Sequence, residues 1–316
     1  MRMEMSQTNW EGMSALVELT GFWQERYKAS EKDEADMAKA GFLYLTQNEM
    51  AQRYAKISLN VLQYMPNLKE LSVIIDNVTD WGYIAKLENL HTLTIKADID
   101  DELAAAIAGL PKLKELRLTR CNLSDAAADR LAEGKITKLG INKVTGFGTQ
   151  SLAKFKRLTC LDIGETDVDY IDSIAELVNL RELTIYRAYA PYAYIKNLRF
   201  LKKLKKLESF ICEKRLGDDA DLADILASLP KLRNFEYPIS DLALVKLCPK
   251  LEKVTLDGKG CVNYEALRDT KIVSIMVCDA CSEADAKAII DKAKEQVPLR
   301  SYSFNGPWAK RGIHDR

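Results

Sequence analysis

The chain has 316 residues, of which 47% are hydrophobic and 29% are charged, proportions that are ordinary for a folded globular protein. Its 46 basic and 46 acidic side chains give a formal net charge of zero. This balance excludes attraction of the whole molecule to nucleic acid or to an anionic membrane, although a local patch could still act. No stretch reaches the roughly 18 apolar residues of a transmembrane helix.

The first residues and the cysteines bear on the compartment. Residues 1–6 lack the uninterrupted apolar run of a signal peptide. The seven cysteines are scattered and odd in number, which argues against a disulfide framework. We therefore expect a cytoplasmic protein with reduced thiols. Export through a non-cleaved signal stays open.

The N-terminal segment carries a helical pattern. Large and apolar side chains recur every three or four residues, at Trp10, Met13, Val17, Thr20, Trp23 and Tyr27. Ser30 and Asp33 form a capping box for a second helix, which Gly41 closes. We predict a helical N-terminal cap over residues 1–41, with a separate binding helix as the alternative.

A repeat begins after this segment. The pattern Leu68-x-x-Leu71-x-Val73 recurs with its middle anchor at positions 93, 116, 139, 161 and 183, in steps of 22, 23, 23, 22 and 22 residues. Weaker copies have anchors at 210, 235, 254 and 275, a last copy lies near Leu299, and a first one lies at Leu43. Alternating leucines predict a short strand with both leucines buried. Because one repeat cannot bury its apolar face alone, neighbouring repeats must stack.

This pattern resembles the leucine-rich-repeat family over residues 42–304, or about 10–12 repeats. The resemblance implies an α/β fold: a right-handed leucine-rich-repeat solenoid (horseshoe) with parallel strands on the concave face and helices or turns on the convex face. The family usually places asparagine, or cysteine or threonine, three residues after the last strand leucine. This chain matches that pattern only in part, with Asp76, Asp98, Cys121, Val144, Thr166, Ala188 and Ser240 at those positions. That departure puts even curvature in doubt.

Helices are predicted on the backs of several repeats. Residues 101–107 begin with acids and continue with alanines. Ser124 is a suitable N-cap for a helix over 125–133, and Gly134 ends it. Ser282 with Asp285 predicts a longer helix to about residue 295, followed by a strand over 299–304. Residues 305–316 form a basic tail.

The repeat becomes irregular after residue 185. Four tyrosines fall between positions 186 and 194, together with arginine and proline, a composition typical of interface hot spots. A loop whose tyrosines pack on their own backbone is the alternative. A basic run over 196–206 follows, with six positive charges and no acid. It is either a solvated convex helix or a site for nucleic acid or lipid.

Few residues offer catalytic chemistry. The chain has two histidines, His91 and His314, which is too few to indicate a histidine-dependent catalytic mechanism. A zinc site at Cys261, Cys278 and Cys281 is a minor alternative, because no second Cys-x-x-Cys or histidine pair accompanies it. An enzyme subunit using the repeats to recruit substrate is another. We expect no enzyme activity, cofactor or metal.

Together these patterns predict a non-enzymatic module that binds one specific protein, such as an effector, an inhibitor or an immunity-type protein. We expect a monomer when unbound, no membrane partner and no nucleic acid, with the basic run at 196–206 as the alternative anionic-partner site. The predicted contacts lie on the concave face and in the irregular region 186–238. They are Arg117, Asn142, Asp162, Tyr186, Arg187, Tyr189, Tyr192, Glu213, Glu236 and Asp257.

Overall fold

The computed structural model describes residues 37–46, 57–146, 148–165, 171–186, 197–212, 220–280 and 282–305. The chain divides into two compact units, Met1–Leu158 and Thr159–Arg316. Most of the predicted N-terminal cap and nearly all of the basic tail lie outside the described residues, so both stay predictions.

The first unit contains a parallel sheet. Its strands are β1 (Phe42–Thr46), β3 (Glu70–Ile74), β5 (Thr92–Ile95), β6 (Glu115–Asn122) and β7 (Lys138–Thr145), which pair in that order. The short strands β2 (Ile57–Ser58) and β4 (Val78–Thr79) pair separately. Helices α1 (Asp101–Ala108), α2 (Asp125–Ala132) and α3 (Thr149–Leu152) and the 3-10 helices Leu59–Tyr64 and Trp81–Lys86 connect the strands.

The second unit repeats this organisation. Its strands are β8 (Cys160–Gly164), β9 (Glu182–Tyr186), β10 (Ser209–Cys212), β11 (Asn234–Ile239), β12 (Lys253–Asp257), β13 (Ser274–Cys278) and β14 (Ser301–Asn305), again parallel and in chain order. Between them lie α4 (Ile171–Ile174), α5 (Leu222–Ala227) and α6 (Glu283–Lys294). The 3-10 helices Arg199–Lys203, Leu242–Leu247 and Tyr264–Leu267 complete the connections.

The predicted leucine positions form the core. In the first unit Leu71, Leu93, Leu116 and Leu139 stand in register on successive strands and are at most 3% exposed. In the second unit Phe210 and Phe235 take the same positions. Their rings lie 5.7 Å apart. The steps of 27 and 25 residues that lead to these anchors are longer than the steps of 22 and 23 between the anchors at 71 and 183, and the larger aromatic side chains fill the core there.

The caps confirm three predicted helices. Ser124 Oγ accepts a hydrogen bond from Ala127 N at the start of α2, and Asp100 Oδ1 accepts one from Leu103 N at the start of α1. Ser282 Oγ accepts from Asp285 N at the start of α6. These side chains satisfy amide groups that have no partner in the first turn of a helix.

Side-chain hydrogen bonds link neighbouring repeats where the family asparagine is missing. Asp98 Oδ1 accepts a hydrogen bond from Asn122 N at 2.6 Å, so an aspartate side chain bonds the backbone of the next repeat. Asn67 and Asn89, each just before a first repeat leucine, donate to the carbonyl oxygens of Ala38 and Pro66 in the preceding repeat. The patchy pattern read from the sequence therefore understates the bonding between repeats.

Candidate functional site

The open face of each unit consists of the strand side chains that alternate with the buried leucines. In the first unit one row of this face contains Ser72, Thr94, Arg117 and Gly140, aligned by strand register. Arg117 has a 55% exposed side chain, and its Nε donates to Glu115 Oε1 at 2.6 Å. A Cβ at Gly140 would lie 3.3 Å from Arg117 Cγ. The glycine therefore leaves room for the arginine stem beside it.

The next row of the first unit includes Thr119 and Asn142, which are also in register. Both are half-buried, so their positions are held by the strands while part of each side chain faces outward. Beside them, Arg120 and Lys143 have φ values of 49° and 52°. Left-handed backbone is costly for residues with a Cβ. These two residues mark a local bend within β6 and β7.

The open face of the second unit has a mixed row. Asp162, Thr184, Ile211 and Glu236 align from β8 to β11. Each is half-buried. Glu236 Oε1 accepts from Lys253 Nζ at 2.7 Å and from Asn234 Nδ2 at 3.1 Å. These bonds hold the Glu236 carboxylate in one orientation, an arrangement that costs a partner little ordering entropy.

The expected exposure of one predicted contact, Asp257, is wrong. Asp257 is buried, and so are Pro238 and Cys278 on the neighbouring strands. Gly258 explains part of this, because its N donates to Cys278 O at 2.6 Å and brings two post-strand turns together. Asp257 is 8% exposed, and its Oδ1 accepts from Lys259 N. Its predicted role in partner binding is untested.

Several other predicted contacts cannot be placed. Arg187, Tyr189, Tyr192 and Glu213 lie outside the described residues, as does most of the tyrosine segment. Tyr186 ends β9, but its side chain is not described. These five assignments stay predictions.

The basic run lies against acids of neighbouring repeats. Arg199 pairs with Asp221, Lys203 Nζ lies 3.1 Å from Glu176 Oε1, and Lys202 Nζ lies 3.5 Å from Asp224 Oδ2. Lys205 and Lys206 donate to Ser228 O and Asn179 Oδ1. Although exposed pairs of this kind stabilise little, they neutralise much of the positive charge that an anionic ligand would use.

Three of the described cysteines donate hydrogen bonds to backbone carbonyl oxygens of the preceding repeat. Cys248, Cys261 and Cys278 donate through sulfur to Leu226 O, Ile239 O and Leu256 O, each 22 residues earlier. Burial raises the pKa of Cys121, Cys248 and Cys278 to about 12. Burial, followed by the charge of Asp257, raises the pKa of Cys261 to about 11. Thiols that stay protonated are poor nucleophiles and poor metal ligands.

The zinc alternative gains no support from these contacts. Across the described ranges, no group of three or more His, Cys, Asp or Glu side chains is arranged to hold a metal ion. Cys281 lies outside those ranges. His91, the described histidine, is exposed, and its Nδ1 lies 2.7 Å from Asn89 O.

A groove at the C-terminal end of the second unit was not anticipated from the sequence. It has a volume of about 530 Å³ and lies between α6 and β14, where Ile290, Leu299, Tyr302 and Phe304 contribute apolar surface. The sequence predicted only a helix to about residue 295 and a strand over 299–304 in this part of the chain.

Solved structures share this arrangement of repeated strands. The chain is similar to the structure of the TLR13–ssRNA13 complex, with a TM-score of 0.54 and 16% identity over 83% of this chain. The chain spans only 40% of that protein's length. The chain has a leucine-rich-repeat fold. No family model matches it. No curated protein sequence matches it either.

Two bacterial structures are also similar to this leucine-rich-repeat chain. An internalin (inlF) from Listeria monocytogenes covers 88% of the chain and 90% of its own length, at 15% identity and a TM-score of 0.46. An internalin C2 from the same species covers 77% of the chain and 83% of its own length, at 18% identity and a TM-score of 0.36. Within the described ranges, no helix has the length and hydropathy needed to cross a bilayer.

Proposed function

We propose that this leucine-rich-repeat chain is a non-enzymatic module that binds one specific protein through its open faces and the irregular region 186–238. The observation that carries the proposal is the mixed row Asp162, Thr184, Ile211 and Glu236, held in register by parallel strands. Strands lie about 4.8 Å apart, so this row presents an acid, a hydroxyl, an apolar group and another acid at fixed spacing. Such a pattern suits a shaped protein surface better than a uniform polymer.

Arg117 is the strongest single candidate in the first unit. Its side chain is 55% exposed and stands in a row of small residues. Arginine is enriched among residues that dominate binding energy. Because Glu115 holds the Nε side of the guanidinium, we propose that Arg117 offers a partly oriented donor group to an acidic or carbonyl-rich patch on the partner.

The anionic-partner alternative is weaker. Three basic side chains of the run 196–206 lie against carboxylates of neighbouring repeats. The similar structure solved with ssRNA13 is 16% identical, so it bears on the fold alone. An RNA or lipid site would depend on this chain's own charges, and three of the six cations in the run already pair with carboxylates of the second unit.

The non-enzymatic part of the proposal rests on the described thiols and histidine. Four thiols have pKa values raised to about 11 or 12 by burial, and His91 lies on an exposed turn bonded to a backbone carbonyl. Neither provides the activated nucleophile and base that covalent catalysis uses. We further propose a cytoplasmic location, with an effector, inhibitor or immunity-type role.

A comparative capture experiment tests the proposed surface. Wild type, a variant with Arg117, Tyr186 and Tyr189 changed to Ala, and the control variant Lys231→Ala are immobilised and exposed to extract from the source organism. We expect a protein that wild type and the control retain in equal amounts and that the triple variant loses at least tenfold. Equal retention by the triple variant would show that the site lies elsewhere.

Titration with RNA and with anionic vesicles at two salt concentrations tests the alternative. We expect no salt-sensitive binding. Tight binding that weakens steeply with salt, and is lost on changing Lys202 and Lys205 to Ala, would favour the anionic partner instead.

A further inference from the structure

The edge of the first unit at which its strands begin has an excess of positive charge. This strand-start edge consists of residues 67–70, 89–92, 112–115 and 135–138, and each segment ends on the first residue of β3, β5, β6 or β7. The four segments contain five lysines and two glutamates, although the whole chain has no net charge. All five lysines are exposed: Lys69, Lys112, Lys114, Lys135 and Lys138.

Backbone hydrogen bonds hold one row of the strand-start edge in line. Lys69 O accepts from His91 N at 2.8 Å, and His91 O accepts from Lys114 N at 2.9 Å. Lys114 O accepts in turn from Thr137 N at 2.8 Å. Neighbouring members of the row therefore lie about 4.8 Å apart, the spacing of adjacent strands. None of these four residues is acidic, so the row itself provides no carboxylate to neutralise its two lysines.

The equivalent row of the second unit alternates in charge. Backbone bonds of the same kind join its successive members, which are Arg181, Glu208, Arg233 and Glu252. Their side chains pair between repeats, with Arg181 Nη1 3.1 Å from Glu208 Oε1 and Arg233 Nη1 2.7 Å from Glu252 Oε1. The first unit has a histidine and a threonine where the second has glutamates beside its arginines. Its lysines therefore lack the corresponding ion pairs.

Most of the lysines on the strand-start edge have side chains without a partner. Within the described part of the chain, four of them form neither a side-chain hydrogen bond nor an ion pair: Lys69, Lys114, Lys135 and Lys138. The two glutamates of the edge have other partners. Glu115 accepts from Arg117 Nε at 2.6 Å, and Glu70 accepts from Tyr44 OH. The lysine charges therefore stay available to a second molecule.

We propose that the strand-start edge binds an extended acidic segment of the protein partner, an inference that rests on the proposed function. Carboxylates of that segment pair with Lys69, Lys114 and Lys138. Three strand spacings, or about 14 Å, separate the repeats of Lys69 and Lys138, a distance that about four or five extended residues span. Arg117 lies two residues beyond Glu115 on β6, so the same partner reaches the proposed arginine contact as well.

The composition of the strand-start edge favours an acidic peptide over a nucleic acid. Sites for single-stranded nucleic acid combine basic side chains with aromatic rings on which bases stack, and the four segments contain no Phe, Tyr or Trp. Glu70 and Glu115 begin their strands among the lysines, where they repel a backbone that carries a phosphate at every nucleotide. A peptide avoids this repulsion because it can have neutral residues opposite the glutamates.

Peptide titration of the full chain tests the strand-start edge. Fluorescence anisotropy measures binding of a labelled oligoglutamate peptide to wild type and to an edge variant that combines Lys69→Gln, Lys114→Gln and Lys138→Gln. We expect the edge variant to bind about tenfold more weakly, because each exposed ion pair contributes little and three are lost together. Wild-type binding should also weaken as salt screens the charges. No binding of the peptide by wild type would overturn the proposal.

A charge-matched control separates a site at the strand-start edge from general attraction. Lys231→Gln, Lys250→Gln and Lys271→Gln together remove the same charge from exposed lysines of the second unit. We expect this control to bind oligoglutamate as wild type does, and an equal loss in both variants would contradict the proposal. Tighter binding of single-stranded RNA than of oligoglutamate through the same lysines would overturn it. Self-association of wild type that the edge variant abolishes would overturn it too, because a second copy would then be the occupant.

The capture experiment with cell extract distinguishes failure of this inference from failure of the proposed function. We expect the edge variant to retain the captured protein about tenfold less than wild type does. Equal retention by the two would overturn the role of the strand-start edge and leave the protein-binding function standing. Capture of no protein by wild type would contradict the proposed function, whereas the peptide titration would still decide whether the strand-start edge binds acidic segments.

Discussion

Gly258 shows how one residue determines a turn between repeats. A Cβ at this position would lie 2.3 Å from Ala280 N and 2.4 Å from Cys278 O, both backbone atoms. Cys278 ends β13 and Ala280 follows two residues later, so neither atom can move without shifting the backbone at the end of that strand. We expect Gly258→Ala to lower the free energy of unfolding by about 3 kcal/mol or more, as measured by urea denaturation.

Gly82→Ala is the matched control, since nothing lies within 4 Å of its added Cβ. Its effect should stay within about 0.5 kcal/mol. Equal effects of the two substitutions would mean that the turn at Gly258 can relax.

The buried thiols give a residue-scale prediction about pH. Burial raises the pKa of Cys248 from 9.0 to about 12, and it raises that of Cys278 likewise. A folded pKa above the unfolded one contributes stability that is complete below pH 9 and is lost as pH rises toward 12. We therefore expect unfolding midpoints to fall over that alkaline range.

Thiol modification checks the same groups directly. At pH 8, mass spectrometry should find Cys248 and Cys278 unmodified by a disulfide reagent in the native protein and modified after unfolding in urea. Rapid native modification of either would show that it is not protected.

Helix caps act at the scale of one element. Ser124 Oγ accepts from Ala127 N at 3.1 Å at the start of α2. Loss of such a cap typically costs about 1 kcal/mol. We expect Ser124→Ala to lower the free energy of unfolding by about that amount in urea titration, with the exposed Lys135→Ala as a silent control. No difference between the two would mean that water replaces the cap.

Aromatic side chains replace aliphatic ones in the core positions of β10 and β11. The degenerate repeats use Phe210, Phe235 and Tyr237 where earlier repeats use leucine, isoleucine or valine, and the centres of these rings lie 5.7–6.4 Å apart. The sequence predicted these copies as strands, and β10 and β11 confirm them. What it did not predict is the register shift between Phe235 and Ile239 in β11, which accompanies the burial of Pro238.

At the scale of the whole molecule, the net charge is zero, and several charges of opposite sign pair from repeat to repeat. Arg181 pairs with Glu208, Arg233 with Glu252, and Lys154 with Asp129, each joining neighbouring repeats. Among the described residues, these pairs place charges of opposite sign side by side. This supports the view that a partner is recognised by local shape rather than by long-range attraction.

The stacking of repeats also predicts how far the effect of a core substitution extends. Leu116 is fully buried between β5 and β7. We expect Leu116→Ala to cost about 2–5 kcal/mol and to raise hydrogen exchange most in β5, β6 and β7, because each repeat contacts chiefly its neighbours. The control Glu102→Ala, on the exposed side of α1, should change neither the free energy of unfolding nor the hydrogen-exchange rates. Loss of protection confined to β6 would contradict coupling between neighbouring repeats.

Hydrophobic spacing and helix capping depend on residues close together in the chain, so the sequence predicted the period, the buried strand positions and three helix starts. Three further features became apparent only in the folded structure: Asp257 and Cys278 are buried, three cations of the basic run pair with acids of neighbouring repeats, and a groove lies between α6 and β14. Those features join different repeats, and the connections between repeats differ in length. Alternation within one strand therefore cannot predict which turn covers which side chain.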